Sequence, residues 1–190
     1  MTARNPALAH IMLGAVSAAL AVIFSSLASA ADKPGTTSMC AAAERVLFSC
    51  TLASGTKQVS ICATGNTRPE APSFYYAYGK QGKPAELRYP ASDASAANFT
   101  RTSLGFAGNT GGFAYGFNNG GFKYLLYSIS GSYGLEDQGL IVQKDGQEKP
   151  VKQSKCVAGT VFESEDDELF RITRQWPADQ GIAQHGLPAH

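Results

Sequence analysis

Past its first thirty residues the sequence has almost no histidine: only His185 and His190 remain, both among the last six positions. A Ser-His-Asp or Cys-His nucleophile needs an imidazole held in place by folded structure, so both classes lose their base. There is no C-x-x-C pair, and with histidine this scarce the usual zinc ligand sets have no basis. G-x-S-x-G, Walker and Rossmann glycine patterns are missing too, and nothing calls for a cofactor. Charge of one sign is also lacking. Without residues 1–30, which hold a single charge at Arg4, the chain carries 15 basic and 15 acidic side chains. A neutral balance argues against nucleic acid or an anionic membrane as partner, since both reward a basic face. No long apolar run follows residue 30.

The one long apolar run, from about Ala7 to Leu27, follows Arg4 and leads into Ala28-Ser29-Ala30. A basic start, an apolar middle and an A-x-A end make a secretory signal. About twenty apolar residues could also span a bilayer. The alanine-rich composition, the terminal position and the polar Asp32-Lys-Pro-Gly35 stretch favour cleavage after Ala30, with no membrane insertion afterwards. The expected location is periplasmic or secreted. Residues 31–190 suit one domain: a β domain over 31–176 and a flexible tail over 177–190. Cys40, Cys50, Cys62 and Cys156 are an even set in an oxidising compartment and read as two disulfides, with three pairings open. A link from Cys156 to the first hairpin would close a long loop and stabilise by a few kcal/mol.

Short β-prone runs fill the domain. Arg45–Leu52 and Lys57–Ala63 flank a Ser-Gly turn; Ser73–Tyr78 and Ala85–Tyr89 form the next pair; Gly139–Lys144 turns at Asp145-Gly146. Pro150 in the return strand cannot donate to a ladder, so that strand is expected at an edge. Residues 90–103, rich in Ala, Ser and Thr, carry no clear pattern. In Gly112–Tyr127, Asn119-Gly120 signals a type I′ turn, predicting Phe117 opposite Phe122, Tyr115 opposite Tyr124 and Phe113 opposite Leu126. All six fall on one face because strand side chains alternate. Ala114, Gly116, Lys123 and Leu125 make a thinner second face. The pattern predicts an all-β antiparallel sandwich or barrel.

Few groups point to chemistry. Glu163–Glu168 is an acidic run without the spacing of a calcium loop, read as a solvated turn or helix start. Phe170, Ile172 and Trp176 are expected to pack before the tail. Glu86, Glu136 and Asp137 could serve carboxylate-only hydrolysis of a polysaccharide, but nothing marks them as a pair. The aromatic-rich stretch could stack bases or sugars; its strand spacing fits a core better. Tyr75, Tyr127 and Tyr133 are left without a core role, and tyrosine hydroxyls favour wet edges and interfaces.

Ser130-Gly131-Ser132-Tyr133 matches the S-G-x-Y loop of periplasmic lysozyme inhibitors, which this chain resembles at those four residues. The resemblance implies a loop that enters a lysozyme cleft, with Ser130 and Tyr133 on the catalytic carboxylates. Hydroxyls donate well to ionised carboxylates. The stretches Phe48-Ser-Cys50, Val59-Ser-Ile-Cys62, Tyr78-Gly79 and Glu86–Pro90 resemble small exported bacterial proteins with no assigned role, which implies fold and compartment only. The expectation is an exported, non-enzymatic binding protein with a protein partner; a lysozyme is its sharpest form.

Overall fold

The computed structural model describes residues 38–53, 55–65, 72–92 and 97–188; the segment read as a signal peptide lies outside them. The described strands form two antiparallel five-stranded sheets, an all-β sandwich. The first sheet has the order β10-β1-β2-β3-β4, from β1 (Arg45–Thr51), β2 (Lys57–Ala63), β3 (Phe74–Lys80), β4 (Leu87–Tyr89) and β10 (Phe162–Glu163). The second runs in chain order through β5 (Thr100–Phe106), β6 (Thr110–Asn119), β7 (Phe122–Gly131), β8 (Leu135–Lys144) and β9 (Pro150–Lys155). Pro150 lies in the edge strand β9, where its missing N–H breaks no ladder. β5 emerges from the patternless stretch because its strand state comes from pairing with β6, Thr100 opposite Gly116 through Phe106 opposite Thr110.

The central hairpin corrects the expected register. Phe117 pairs with Tyr124, Tyr115 with Leu126 and Asn119 with Phe122, so each partner is two residues further along than Asn119-Gly120 predicts. The turn centres on Gly120 and Gly121, at φ 59° and 79°. A type I′ turn needs positive φ at both central positions, and two glycines meet that without the steric cost Asn119 would bear. A shift of two leaves every side chain on its face. Phe113, Tyr115, Phe117, Phe122, Tyr124 and Leu126 therefore all join the inter-sheet core. There Phe117 stacks between Tyr89 at 4.4 Å and Tyr124 at 4.9 Å.

Both disulfides form: Cys40–Cys62 pins the N-terminal lead to β2, and Cys50–Cys156 joins β1 to the residue after β9. They suit an oxidising, extracytoplasmic environment. Among the described residues no helix is long and apolar enough to cross a membrane. The acidic run becomes a helix start. Asp166 caps α1 (Asp167–Thr173), accepting from the Glu168 and Leu169 N–H groups at 2.9 and 3.1 Å, while Arg45 bonds Asp166 and Glu168. Leu169 is buried and Trp176 packs in the core, but Phe170 is exposed.

The expected flexible tail is overturned. Residues 177–188 are folded onto the second sheet and include α2 (Gln180–His185). The thin second face of that sheet needs a cover, and buried Ile182 supplies it by packing with Leu104, Ala114, Leu125, Tyr127 and Ile141. Polar ties fix the approach: Arg101 N–H to the Pro177 carbonyl at 3.0 Å, Asp179 N–H to Thr102 Oγ1 at 2.9 Å, and a Lys123–Asp179 ion pair at 2.7 Å. Asp179 also caps α2 through the Ile182 N–H.

Burial opposes ionisation of Asp179. The hydrogen bond and charge of Lys123 and the cap N–H groups outweigh it and hold the carboxyl below its usual range. Such a group contributes stability above its unfolded pKa of about 3.9, lost as pH falls through the lower folded value. Asp179→Ala should cost about 1–2 kcal/mol near neutral pH and less at acid pH, as the carboxyl is protonated through its lowered folded value. Urea midpoints of wild type and variant at both pH values check this; an equal gap at both would contradict it.

Candidate functional site

The β7–β8 hairpin is bonded from Phe122 opposite Lys144 to Gly131 opposite Leu135. Its tip is a tight 3-10 turn, Ser132–Gly134. This long ladder gives the S-G-x-Y residues a stiff mount. Ser130 and Gly131 are the last residues of β7, with Ser130 opposite Glu136. A Cβ on Gly131 would lie 2.5 Å from Thr110 Oγ1, so a larger residue would push the tip away from β6. Ser132 Oγ donates to the Gly108 carbonyl at 3.2 Å, tying the tip to the neighbouring β5–β6 turn.

Tyr133 is fully exposed and sits at φ 61°. Asn109, in the neighbouring turn, is the other non-glycine residue at positive φ among those described, at 57°. A tyrosine there costs about 1–2 kcal/mol, yet the conformation projects the ring outward. Phe106, Tyr133 and Leu135 are three of the six large exposed apolar side chains among the described residues, and these adjoining turns bring them to one end of the sheet. Apolar side chains gathered on a surface mark an interaction site better than single scattered ones.

Beside the loop lies a cavity of about 620 Å³ bordered by Ser128, Ser130, Glu136, Asp137, Lys155 and Glu163, among others. Each carboxylate there has a donor. Asp137 accepts from Lys155 Nζ at 2.6 Å and from Tyr127 OH at 3.0 Å; Glu163 accepts from Ser128, and Glu136 from Gln138. Burial first, then the charge of Asp137, raises the Tyr127 phenol above its ordinary value. The hydrogen bond to Asp137 raises Lys155, which burial opposes. Three carboxylates against one ammonium leave the border acidic. Among the described residues no three His, Cys, Asp or Glu side chains come together as a metal-ligand set.

Glu136 and Asp137 thus share a cavity, while Glu86 borders a different one. Tyr75 is engaged by Glu44 and by the Arg88 guanidinium, 4.0 Å from its ring centre, and Tyr127 by Asp137. Of the three unassigned tyrosines only Tyr133 stands clear of the domain. Sequence reasoning missed Ser128, Lys155 and Glu163. Glu163 lies 35 residues from Ser128 along the chain and arrives through the pairing of β10 with β1, which no local pattern announces. Comparison with protein-family models, with curated proteins and with solved structures found no match.

Proposed function

We propose that this is an exported, non-enzymatic binding protein that presents the loop Ser130–Tyr133 to a protein partner, most concretely a lysozyme. The observation that carries the reading is Tyr133: a large aromatic side chain, wholly exposed, on a left-handed backbone at the tip of a ten-residue hairpin strand pair. Exposing such a ring gains nothing for folding. On a stiff mount it loses little entropy when it enters a cleft, and tyrosine is a preferred interface anchor. Its hydroxyl, with that of Ser130, would donate to carboxylates inside the cleft. The acidic border formed by Glu136, Asp137 and Glu163 favours a partner with a cationic rim, since complementary charge raises association rate and suppresses wrong partners. Export rests on the pattern from Arg4 to Ala30, with which the two disulfides agree.

Purified protein should inhibit cell-wall lysis by at least one class of lysozyme. Tyr133→Ala should weaken that inhibition by about thirtyfold or more, a central anchor being worth about 2 kcal/mol or more, while shifting stability by less than about 0.5 kcal/mol. Ser130→Ala should have a smaller effect in the same direction. Lack of inhibition across classes removes the lysozyme; a variant at Tyr133 as potent as wild type removes the loop as contact element.

A further inference from the structure

The C-terminal end of α1 gathers cations around one exposed ring. Phe170, 48% exposed, has the Arg101 guanidinium 5.2 Å from its ring centre and the Arg174 guanidinium at 5.4 Å. Arg101 reaches it from β5, half-buried, and also lies 5.1 Å from the Phe113 ring centre and bonds the Tyr115 hydroxyl. Arg171, in the last turn of α1, and Arg174, its C-cap, are exposed. None of these three arginines has an ion pair among the described residues. Nearby carboxylates are engaged elsewhere. Asp166 and Glu168 hold Arg45 at the opposite end of the helix, and Glu163 accepts from Ser128.

Two ordinary reasons cover part of this arrangement. Cations at a helix C-terminus complement its dipole, which accounts for Arg171 and Arg174. Ring contacts hold the Arg101 guanidinium in place, but they do not neutralise it, and a guanidinium cannot shed its proton to escape the cost. Charges withdrawn from water are normally paired. Bringing Arg101 and Arg174 to one ring adds repulsion between like charges, and a phenylalanine left half in water gains little for folding. Arginine and exposed aromatic side chains are, however, the groups that carry binding energy at protein interfaces. What this surface lacks is an anion.

We infer that the surface formed by Arg101, Phe170 and Arg174 docks an acidic segment of a partner protein, one that carries carboxylates beside an apolar side chain. The guanidinium fork matches a carboxylate through two parallel hydrogen bonds, and the apolar neighbour covers the Phe170 ring. A bare phosphate would leave that ring in water. An anionic membrane fits less well, because residues 31–190 carry 15 basic and 15 acidic side chains and no net charge draws them to such a surface. The site is distinct from the loop at Tyr133: Arg101 is near the start of β5, and Phe106, gathered with Tyr133, is at its end.

Fluorescence anisotropy of a labelled hexapeptide alternating Glu and Phe, titrated with the purified protein, tests this. The peptide should bind, and its glutamine counterpart should bind at least about tenfold more weakly, having lost the charge-assisted hydrogen bonds. Arg101→Gln should weaken the acidic peptide about tenfold or more, and Arg174→Gln about three- to tenfold. Phe170→Ser should weaken it about fivefold and affect an all-glutamate peptide less. Because Arg174 is exposed, Arg174→Gln should shift the Tm by no more than about 2 °C, which separates lost binding from lost fold. Lys83→Gln removes the same charge from the β3–β4 connection and should leave the affinity unchanged. Absence of acidic-peptide binding at millimolar concentration would overturn the proposal. So would equal affinity in wild type and Arg174→Gln, or equal losses in Arg174→Gln and Lys83→Gln. Tighter binding to phosphatidylglycerol vesicles than to the peptide would assign the surface to a membrane and overturn it too. Tyr133→Ala should change none of these readouts.

Discussion

Replacing Cys50 and Cys156 together by alanine is expected to remove about 5 kcal/mol of stability and leave the domain largely unfolded at 37 °C. The bond joins positions 106 residues apart, and a loop of about a hundred residues loses about 4.7 kcal/mol of closure entropy when cross-linked in the unfolded chain. That is a large share of the 5–15 kcal/mol typical of a folded domain. The same model gives about 3 kcal/mol for Cys40–Cys62, whose separation is 22. Cys50 is fully buried in the core cluster, so alanine also leaves a space beside Leu52 and Val59 that the walls fill only in part. Urea unfolding of wild type and the two double variants gives the ordering. A larger loss at Cys40–Cys62 would show that residual structure in the unfolded chain, rather than loop length, sets the contribution.

The second large effect is expected at Trp176. Its ring stacks on Phe99 at 5.1 Å and meets Phe74 edge-on at 4.9 Å and Tyr115 at 5.8 Å. Phe74 belongs to the first sheet and Tyr115 to the second, so one side chain bridges both layers just before the chain turns to Pro177. Trp176 is half-buried against the core, so Trp176→Ala should cost about 2–4 kcal/mol, below the range for a fully buried large aromatic. Loss of this anchor should also loosen the following segment, so amide protection should fall first in α2. Trp176→Phe keeps ring contacts and should cost about half as much or less. If α2 keeps its protection in Trp176→Ala, the ties at Thr102 and Lys123 hold the helix without the aromatic anchor.

That C-terminal segment marks one limit of what could be read in advance. Its helix is six residues long with one buried residue, Ile182, too short for a 3.6-residue period to stand out. Its reason for folding lies elsewhere, in the uncovered face of Ala114, Leu125 and Tyr127. β5 was hidden similarly: Arg101-Thr-Ser-Leu104 has weak alternation, and β6 supplies the order. The central hairpin shows the intermediate case. Both Asn119-Gly120 and Gly120-Gly121 satisfy turn chemistry, and registers two residues apart bury the same side chains. The faces were therefore legible from the pattern while the pairing was not.

The candidate site divides along the same line. Tyr133 could be singled out because it had no place in the alternating core and followed a hairpin strand. Its left-handed backbone, the tie to Gly108, and the cavity shared by Ser128, Glu136 and Glu163 could not, because each joins turns or strands far apart in the chain. The surface at Phe170 was hidden likewise. Nothing in the sequence places Arg101, on β5, against a ring of α1.

By itself, then, the sequence determined the all-β class, the faces taken by the residues of the central hairpin and the even cysteine count. The first two follow from φ restrictions and side-chain alternation within a few residues, and the third is a property of the composition. Only the tertiary structure decided which cysteines pair, which register the central hairpin adopts, that residues 177–188 cover a sheet, and which polar groups are buried with or without partners. Those outcomes depend on surfaces brought together across tens of residues, where burial and steric fit, rather than local preference, set the free energy.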